Sequence, residues 1–265
     1  MTISEIFIYP IKSLGGISLQ KVMITDRGPQ YDRRWMLVDN HNRFLSQRKF
    51  PEMALIQPEI REDEMVIFHK TRDIPPLIVP LSPEGKDVLN TSVWEMECPT
   101  VAVSAFADAW FSDVLKTDCR LVYMPDESRV PVAEKHQRAG EITSLSDGLP
   151  FLLTSHASLD YLNSLMENPV PMDRFRSNFV FSGGVPYAED NWKKIKIGEV
   201  IFYPVTRRGR CAMTNVNQTT GAREKEPFHT LSIYRNTGDK VVFGMGMIHE
   251  GGGAVSIGDK VEVIY

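Results

Sequence analysis

Residues Met53–His69, MALIQPEIREDEMVIFH, decide how the chain is read. Two apolar runs, Met53–Ile60 and Met65–His69, flank the charged tetrapeptide Arg61-Glu62-Asp63-Glu64. That pattern predicts a hairpin of two strands. The same texture extends to both sides. Toward the N-terminus, Ile3, Ile6, Phe7, Ile8 and Tyr9 are apolar on both faces of an extended run, which predicts a buried strand over 3–12 that Pro10 weakens at its end. Ile17, Leu19, Val22 and Ile24 mark a second strand, stopped by Asp26-Arg27-Gly28-Pro29. Met36-Leu37-Val38 and Phe44–Arg48 read as a further hairpin around Asp39–Arg43. Toward the C-terminus, strand signals continue at Leu77–Leu81 and Val93–Val103. Short, closely spaced strands without intervening helices argue for a barrel or sandwich.

The character changes at Ser104. Phe106, Trp110 and Val114 recur every four residues, which predicts one amphipathic helix capped by Ser104. A strand at Arg120–Met124 precedes the polar, irregular residues 125–149, read as a long loop of the kind that is often functional. Phe151–Thr154 then leads into a helix over Ala157–Glu167, with Leu159, Leu162, Leu165 and Met166 on one face. Strands follow at Phe175–Phe181, Lys194–Ile197, Glu199–Val205, Ala212–Val216, Val241–Met247 and Ala254–Ile264, with a short helix around Phe228–Arg235. The expected class is α+β, predominantly β. A β-barrel-like region over 1–120 precedes a second β-barrel domain over 121–265, with a few peripheral helices.

The chain has 265 residues, 42% of them hydrophobic and 24% charged, the composition of an ordinary globular protein. A net charge of −4 provides no global basic field, which argues against nucleic acid or an anionic membrane as partner. Any anion site must be a local cluster. Cys98, Cys119 and Cys211 are odd in number and widely spaced, which suggests a reducing compartment rather than a disulfide framework. No CxxC or Cys/His set suggests a zinc knuckle or an iron–sulfur cluster. The opening MTISEIFIYPIKSL reads as a strand, not a signal peptide, and no apolar run reaches membrane-spanning length. The expected location is cytoplasmic.

The richest stretch for chemistry is Thr206–Gly221, TRRGRCAMTNVNQTTG. Arg207, Arg208 and Arg210 precede Cys211, and nearby guanidinium groups favour a thiolate, the form that attacks electrophiles and binds soft metals. The same cysteine could equally be a small apolar filler in a barrel core. Lys12-Ser13 closes the first strand before Gly15-Gly16, where a lysine, a hydroxyl and free amides suit a phosphate, although a lysine before a turn is commonly just solvated. In Asp32-Arg33-Arg34-Trp35 the two arginines should point to opposite faces of an extended chain, so one of them could face a pocket while the other pairs at the surface. Arg174 and Arg176 share a face by period two and could chelate an anion or pair with Asp173. The histidines form no metal-spaced pair on a helix, Ser182-Gly183-Gly184 is no nucleophile elbow, and Gly251-Gly252-Gly253 lacks the partners of a phosphate loop.

Taken in order, Tyr9-Pro10-Ile11-Lys12-Ser13, Asp32–Val38, Pro150–Leu153 with Ser155–Leu159, Arg174–Asn178, Tyr187–Trp192, Arg210–Thr214 and Lys225–Arg235 resemble the MOSC superfamily over nearly the whole chain. The resemblance is to two-part members with an MOSC N-terminal β-barrel region before the MOSC domain, such as the mitochondrial amidoxime-reducing component and its bacterial relatives. It implies a molybdenum held through molybdopterin, with Cys211 as metal ligand and, with Arg176, catalytic. Further cofactor contacts fall on Lys12, Ser13, Arg33, Arg176, Gly209 and Arg210, and on the backbone at Gly148 and Leu149. Three places depart from the family pattern: Gly148-Leu149 in side chain, so that only backbone contacts carry over, Val185, where an acid is expected, and Ile248, where a tyrosine is expected. The implied activity is reduction of N-hydroxylated or N-oxygenated small molecules, with two electrons from a separate ferredoxin- or cytochrome-type donor and oxygen leaving as water. The alternative is a sulfur-transfer module in which Cys211 carries a persulfide for metal–sulfur cofactor delivery.

Overall fold

The first strand, β1 (Thr2–Ile8), sets the architecture because it is built into a sheet made largely of residues from the far end of the chain. The computed structural model describes every residue except 84 and 86. After β1 come β2 (Ile17–Leu19), β3 (Lys21–Thr25), the two-residue β4 (Gly28–Pro29) and β5 (Trp35–Val38). The hairpin β6 (Ile56–Arg61) and β7 (Glu64–His69) is followed by β8 (Leu77–Pro80), β9 (Val88–Val93) and β10 (Met96–Ala102). Helix α1 (Ala105–Leu115), β11 (Arg120–Tyr123) and the short β12 (Val130–Pro131) and β13 (Ile142–Thr143) lead to β14 (Phe151–Ser155). Helix α2 (His156–Ser164), β15 (Phe179–Ser182), β16 (Ile195–Ile197), β17 (Val200–Arg210), α3 (Phe228–Tyr234), β18 (Val241–Glu250), β19 (Gly253–Ser256) and β20 (Val261–Val263) complete the chain.

The main sheet has eight strands in the order β2-β1-β15-β14-β18-β17-β16-β20. Strands β14 and β15 run parallel, and α2 is part of the crossover that such a pair requires. A bridge between Thr2 and Lys260, with the Ile3 amide donating to the Asp259 carbonyl at 2.8 Å, curls this sheet into a half-barrel. Ile3, Ile6 and Ile8 fill its concave side with Phe151, Phe179 and Phe202. The phenylalanine ring centroids lie 5.1–5.7 Å apart, and truncating one such ring to alanine typically costs about 3–5 kcal/mol.

A second core collects Trp35, Met53, Ile56, Ile67, Leu77, Phe111 and Leu121 between the sheet β6-β7-β8 and the sheet β5-β11-β10-β9. Helix α1 covers it. The Ser104 hydroxyl accepts the Ala107 amide at 3.1 Å, the expected cap. The buried face is Ala107, Phe111, Val114 and Leu115, while Phe106 is 70% exposed. The expected stripe is therefore rotated, because the cap places Phe106 in the first turn, facing solvent. Tyr31 and Ile60 touch both cores.

The structure is predominantly β with three α-helices among the described residues, the class expected. It corrects several local expectations. Residues Pro51–Leu55 form a 3-10 turn opened by proline, so the hairpin begins only at Ile56. The return segment Phe44–Arg48 makes a single bridge, Val38 to Phe44, before turning away at Ser46. The segment expected as a strand over Ala212–Val216 starts as a 3-10 turn, Ala212–Asn215, in which the Thr214 amide and hydroxyl both bond the Cys211 carbonyl. Phe175 closes another 3-10 turn, so β15 starts four residues later than expected.

Candidate functional site

Strand β17 brings the basic run to the site. Its ladder with β18 slips at Pro204/Thr206 and again at Arg207/Gly209, two irregularities that re-aim side chains near the strand's end. Arg207 turns aside to Asp190 at 3.2 Å. Arg208, Gly209, Arg210 and Cys211 line a cavity of about 290 Å³. Cys211 is exposed and unpaired, the N-cap of the turn that follows; it does not fill a core.

Segments distant in sequence supply the remaining wall. Beyond β1, Lys12 and Ser13 sit in a turn tied to β5 by the Lys12 amide on the Trp35 carbonyl, 2.7 Å. The Lys12 ammonium donates to the Leu145 carbonyl at 2.9 Å and to Asp147 Oδ1 at 2.6 Å. Arg33 is fixed by Asp32, a buried carboxylate whose Oδ1 accepts the Tyr9 amide at 2.8 Å and whose Oδ2 accepts Arg33 Nη1 at 2.5 Å. Arg33 also donates to Asn178 Oδ1 and to the Arg176 carbonyl. Arg34 leaves in the other direction, to the Met124 carbonyl and Asp126. The expectation that one of the two arginines faces a pocket is met, through a left-handed Arg33 (φ 49°) rather than an extended strand.

Arg176 is 5% exposed, stacks over the Tyr9 ring at 4.2 Å and donates through Nη1 to the Leu14 carbonyl at 2.6 Å. Its Nη2 is buried with no protein partner. Arg210 donates Nη2 to the Phe175 carbonyl at 2.6 Å and leaves Nε in the same condition. Burial pushes both guanidiniums down to about 10, with Arg33 adding to the effect on Arg176 and Arg208 to that on Arg210. Buried donors without acceptors are uncommon and costly. Arg174 lies at the cavity too, but spends Nη2 on Glu224 at 2.5 Å.

The cavity thus unites Lys12, Ser13, Arg33, Leu149, Arg176, Gly209, Arg210 and Cys211. Gly148 is not on its wall; a left-handed backbone (φ 89°) lets it turn the loop so that its neighbours Asp147 and Leu149 are. Val185 is exposed and Ile248 is buried behind Leu149, both away from the cavity.

Sequence reasoning passed over Asp147, Trp94 and the separate role of Arg208. Asp147 accepts from Lys12 and from Trp94 Nε1 (3.0 Å), and its carbonyl accepts from Arg208. Burial opposes its ionisation, but Lys12 and Arg208 prevail and hold the carboxyl well below the usual range. Burial likewise lowers the Lys12 ammonium against the pull of Asp147. The adjacent Gly148 and the strand alternation of Arg208 with Arg210 were the available signals. Ser13, Arg33, Trp94 and Arg176 all line the cavity and all have positive φ, a conformation that non-glycine residues adopt at a cost and that clusters at functional sites. Among the described residues, no group of three or more His, Cys, Asp or Glu forms a metal cage.

Comparison with known proteins gives two family matches: the MOSC N-terminal beta barrel domain over residues 1–118 and the MOSC domain over residues 141–262. The chain is 32% identical to mitochondrial amidoxime-reducing component 1 of Mus musculus, covering 99% of this chain and 82% of that protein. The Homo sapiens counterpart is 30% identical, over 99% and 83%. Molybdenum cofactor sulfurase of Danio rerio is 31% identical over 94% of this chain, which spans only 32% of that longer protein. No helix among the described residues is long and apolar enough to cross a membrane. The chain belongs to the MOSC family, with an MOSC N-terminal β-barrel region preceding the MOSC domain.

Proposed function

We propose that this protein is a molybdenum-cofactor oxidoreductase that reduces N-hydroxylated or related N-oxygenated small molecules, using electrons from a separate donor protein. The observation that carries the reading is an open thiol, Cys211, on a cavity lined by Lys12, Ser13, Arg33, Arg176 and Arg210, the last two each keeping a buried guanidinium nitrogen without a partner. That donor set fits a phosphate-bearing group with a soft metal: a thiolate for the metal, dispersed cations for the phosphate. Residues 1–120 contribute Lys12, Ser13 and Arg33, and residues 121–265 contribute Leu149, Arg176, Gly209, Arg210 and Cys211, with Gly148 shaping the loop.

When bound, the molybdenum–molybdopterin group supplies the two-electron chemistry. Cys211 holds the metal, and Arg176 and Arg210 orient anionic groups of cofactor and substrate. The Lys12–Asp147–Trp94 set keeps the floor of the cavity in place. The unpaired cysteines suit a reducing, cytoplasmic setting. The test is a molybdenum and fluorescent-pterin determination on protein from a cofactor-competent host. Wild type should carry near-stoichiometric metal and Cys211→Ser should lose most of it; equal metal content in the two rejects the reading.

The exposure of Cys211 also favours a second reading, a sulfur-transfer module working through a Cys211 persulfide. Alkylation separates the two. An open carrier thiol labels readily in purified protein, whereas a metal-held thiolate resists until the metal is stripped.

A further inference from the structure

A second cleft of about 920 Å³ adjoins the Cys211 cavity, and Phe44, Ser46, Arg48 and Trp94 line both. Its charge is net positive: Arg43, Arg48, Lys49 and Arg223 line it with Asp39 and Asp118. Asp39 Oδ1 is already used on the His41 and Arg43 amides, at 2.8 and 3.0 Å. Among the described residues none of the four cations pairs with a carboxylate. Two of them lie on aromatic rings instead: the Arg48 guanidinium is 4.2 Å from the Trp94 ring centroid and 5.7 Å from that of Phe44, and Lys49 Nζ is 5.2 Å from Phe50, while Arg223 donates to the Arg48 and Lys49 carbonyls. Trp94 is 55% exposed, its left-handed backbone sets the indole at the border of the two cavities, and Nε1 on Asp147 fixes the ring there.

Aromatic rings beside cations that outnumber the carboxylates and pair with none of them suit a planar ring carrying a negative charge. The volume is that of a small-molecule site. We propose that this cleft is a substrate subsite for planar aromatic molecules bearing a carboxylate or a phosphate, held with their reducible end toward the Cys211 cavity. This deepens the proposed oxidoreductase reading and rests on it for the identity of the reacting end.

The test uses the metal-loaded protein and has two arms. In calorimetric titrations, benzoate and phenyl phosphate should bind at least about tenfold more tightly than neutral benzamide, as expected for charge-assisted contacts. Their difference reports whether carboxylate or phosphate is preferred. The doubly substituted Arg43→Gln/Lys49→Gln protein, altered only at exposed positions, should lose about tenfold for the anions and nothing for benzamide. Trp94→Leu should weaken anionic and neutral ring ligands alike. In turnover, 4-carboxybenzamidoxime should show a lower KM than benzamidoxime at similar kcat, and the double variant should erase the difference. Equal binding of benzoate and benzamide, or unchanged anion binding by the double variant, overturns the proposal. Protein that lacks molybdenum yet binds benzoate in this charge-dependent way would leave the subsite standing and remove only the molybdenum reading.

Discussion

The cations of the Cys211 cavity fall into two sets that fold under different rules. Lys12 and Arg33 are each paired with a carboxylate of the protein: Leu145 and Asp147 take the ammonium, while Asp32, Asn178 and the Arg176 carbonyl take the guanidinium. Arg176 and Arg210 each have a single carbonyl acceptor and keep a buried nitrogen free. The first set is part of the folded scaffold, and removing it leaves buried charges behind. The second set is held ready at a cost to stability that a guest would relieve. Similar chemistry thus serves framework as well as cavity wall in the first set and is left uncompensated in the second.

The hardest test of this contrast is Asp32→Ala. It strips the buried partner from Arg33 and the Tyr9 amide, and chemical denaturation should show a loss of about 3–5 kcal/mol. A loss under about 1 kcal/mol would mean that this framework is not one. Next comes a matched pair. Lys12→Met removes the ammonium from Asp147, leaving it only Trp94 Nε1, and from the Leu145 carbonyl, and should cost about 2–3 kcal/mol. Arg210→Met removes an unpartnered nitrogen with its charge and should cost less than about 1 kcal/mol. Equal losses erase the distinction.

Acid titration gives a smaller effect. Asp147 titrates in the folded protein well below its ordinary 3.8, so below that pH the unfolded chain binds more protons. The stability it contributes is complete above about pH 4 and is lost as the pH falls further. Asp147→Asn should flatten that limb of the stability curve, by under about 1 kcal/mol because the side chain is 47% exposed. A limb identical to wild type would place Asp147 outside the framework. Smallest of all, Cys211→Ser should change stability by no more than about 0.5 kcal/mol, since the residue is exposed, while abolishing metal retention.

Most of the strands, the Ser104 cap and the β-rich class were legible because local patterning and tertiary burial agree there. The residues that meet at the cavity were legible where a motif carried them, at Lys12-Ser13, Arg33, Arg176 and Cys211. What escaped depends on distance in sequence. Lys12 meets Asp147 across 135 residues, and neither position announces the other. Alternation along β17 sets Arg208 and Arg210 at the cavity while Arg207 leaves it, but the slips in its ladder with β18 do not show in an arginine run. Trp94 gave no hint of its left-handed backbone, because an indole does not favour it. The rotation of α1 is a phase error fixed by the cap.

The four cavity residues with left-handed backbones have a consequence for how the protein drifts under mutation. Ser13, Arg33, Trp94 and Arg176 hold postures that their own chemistry disfavours, so distant packing must keep each one there. A loosened phenylalanine beneath the half-barrel would therefore register first as a misshapen pocket, before any global unfolding. Substitutions far from Cys211 should alter the shape of the cavity in a chain that still looks folded.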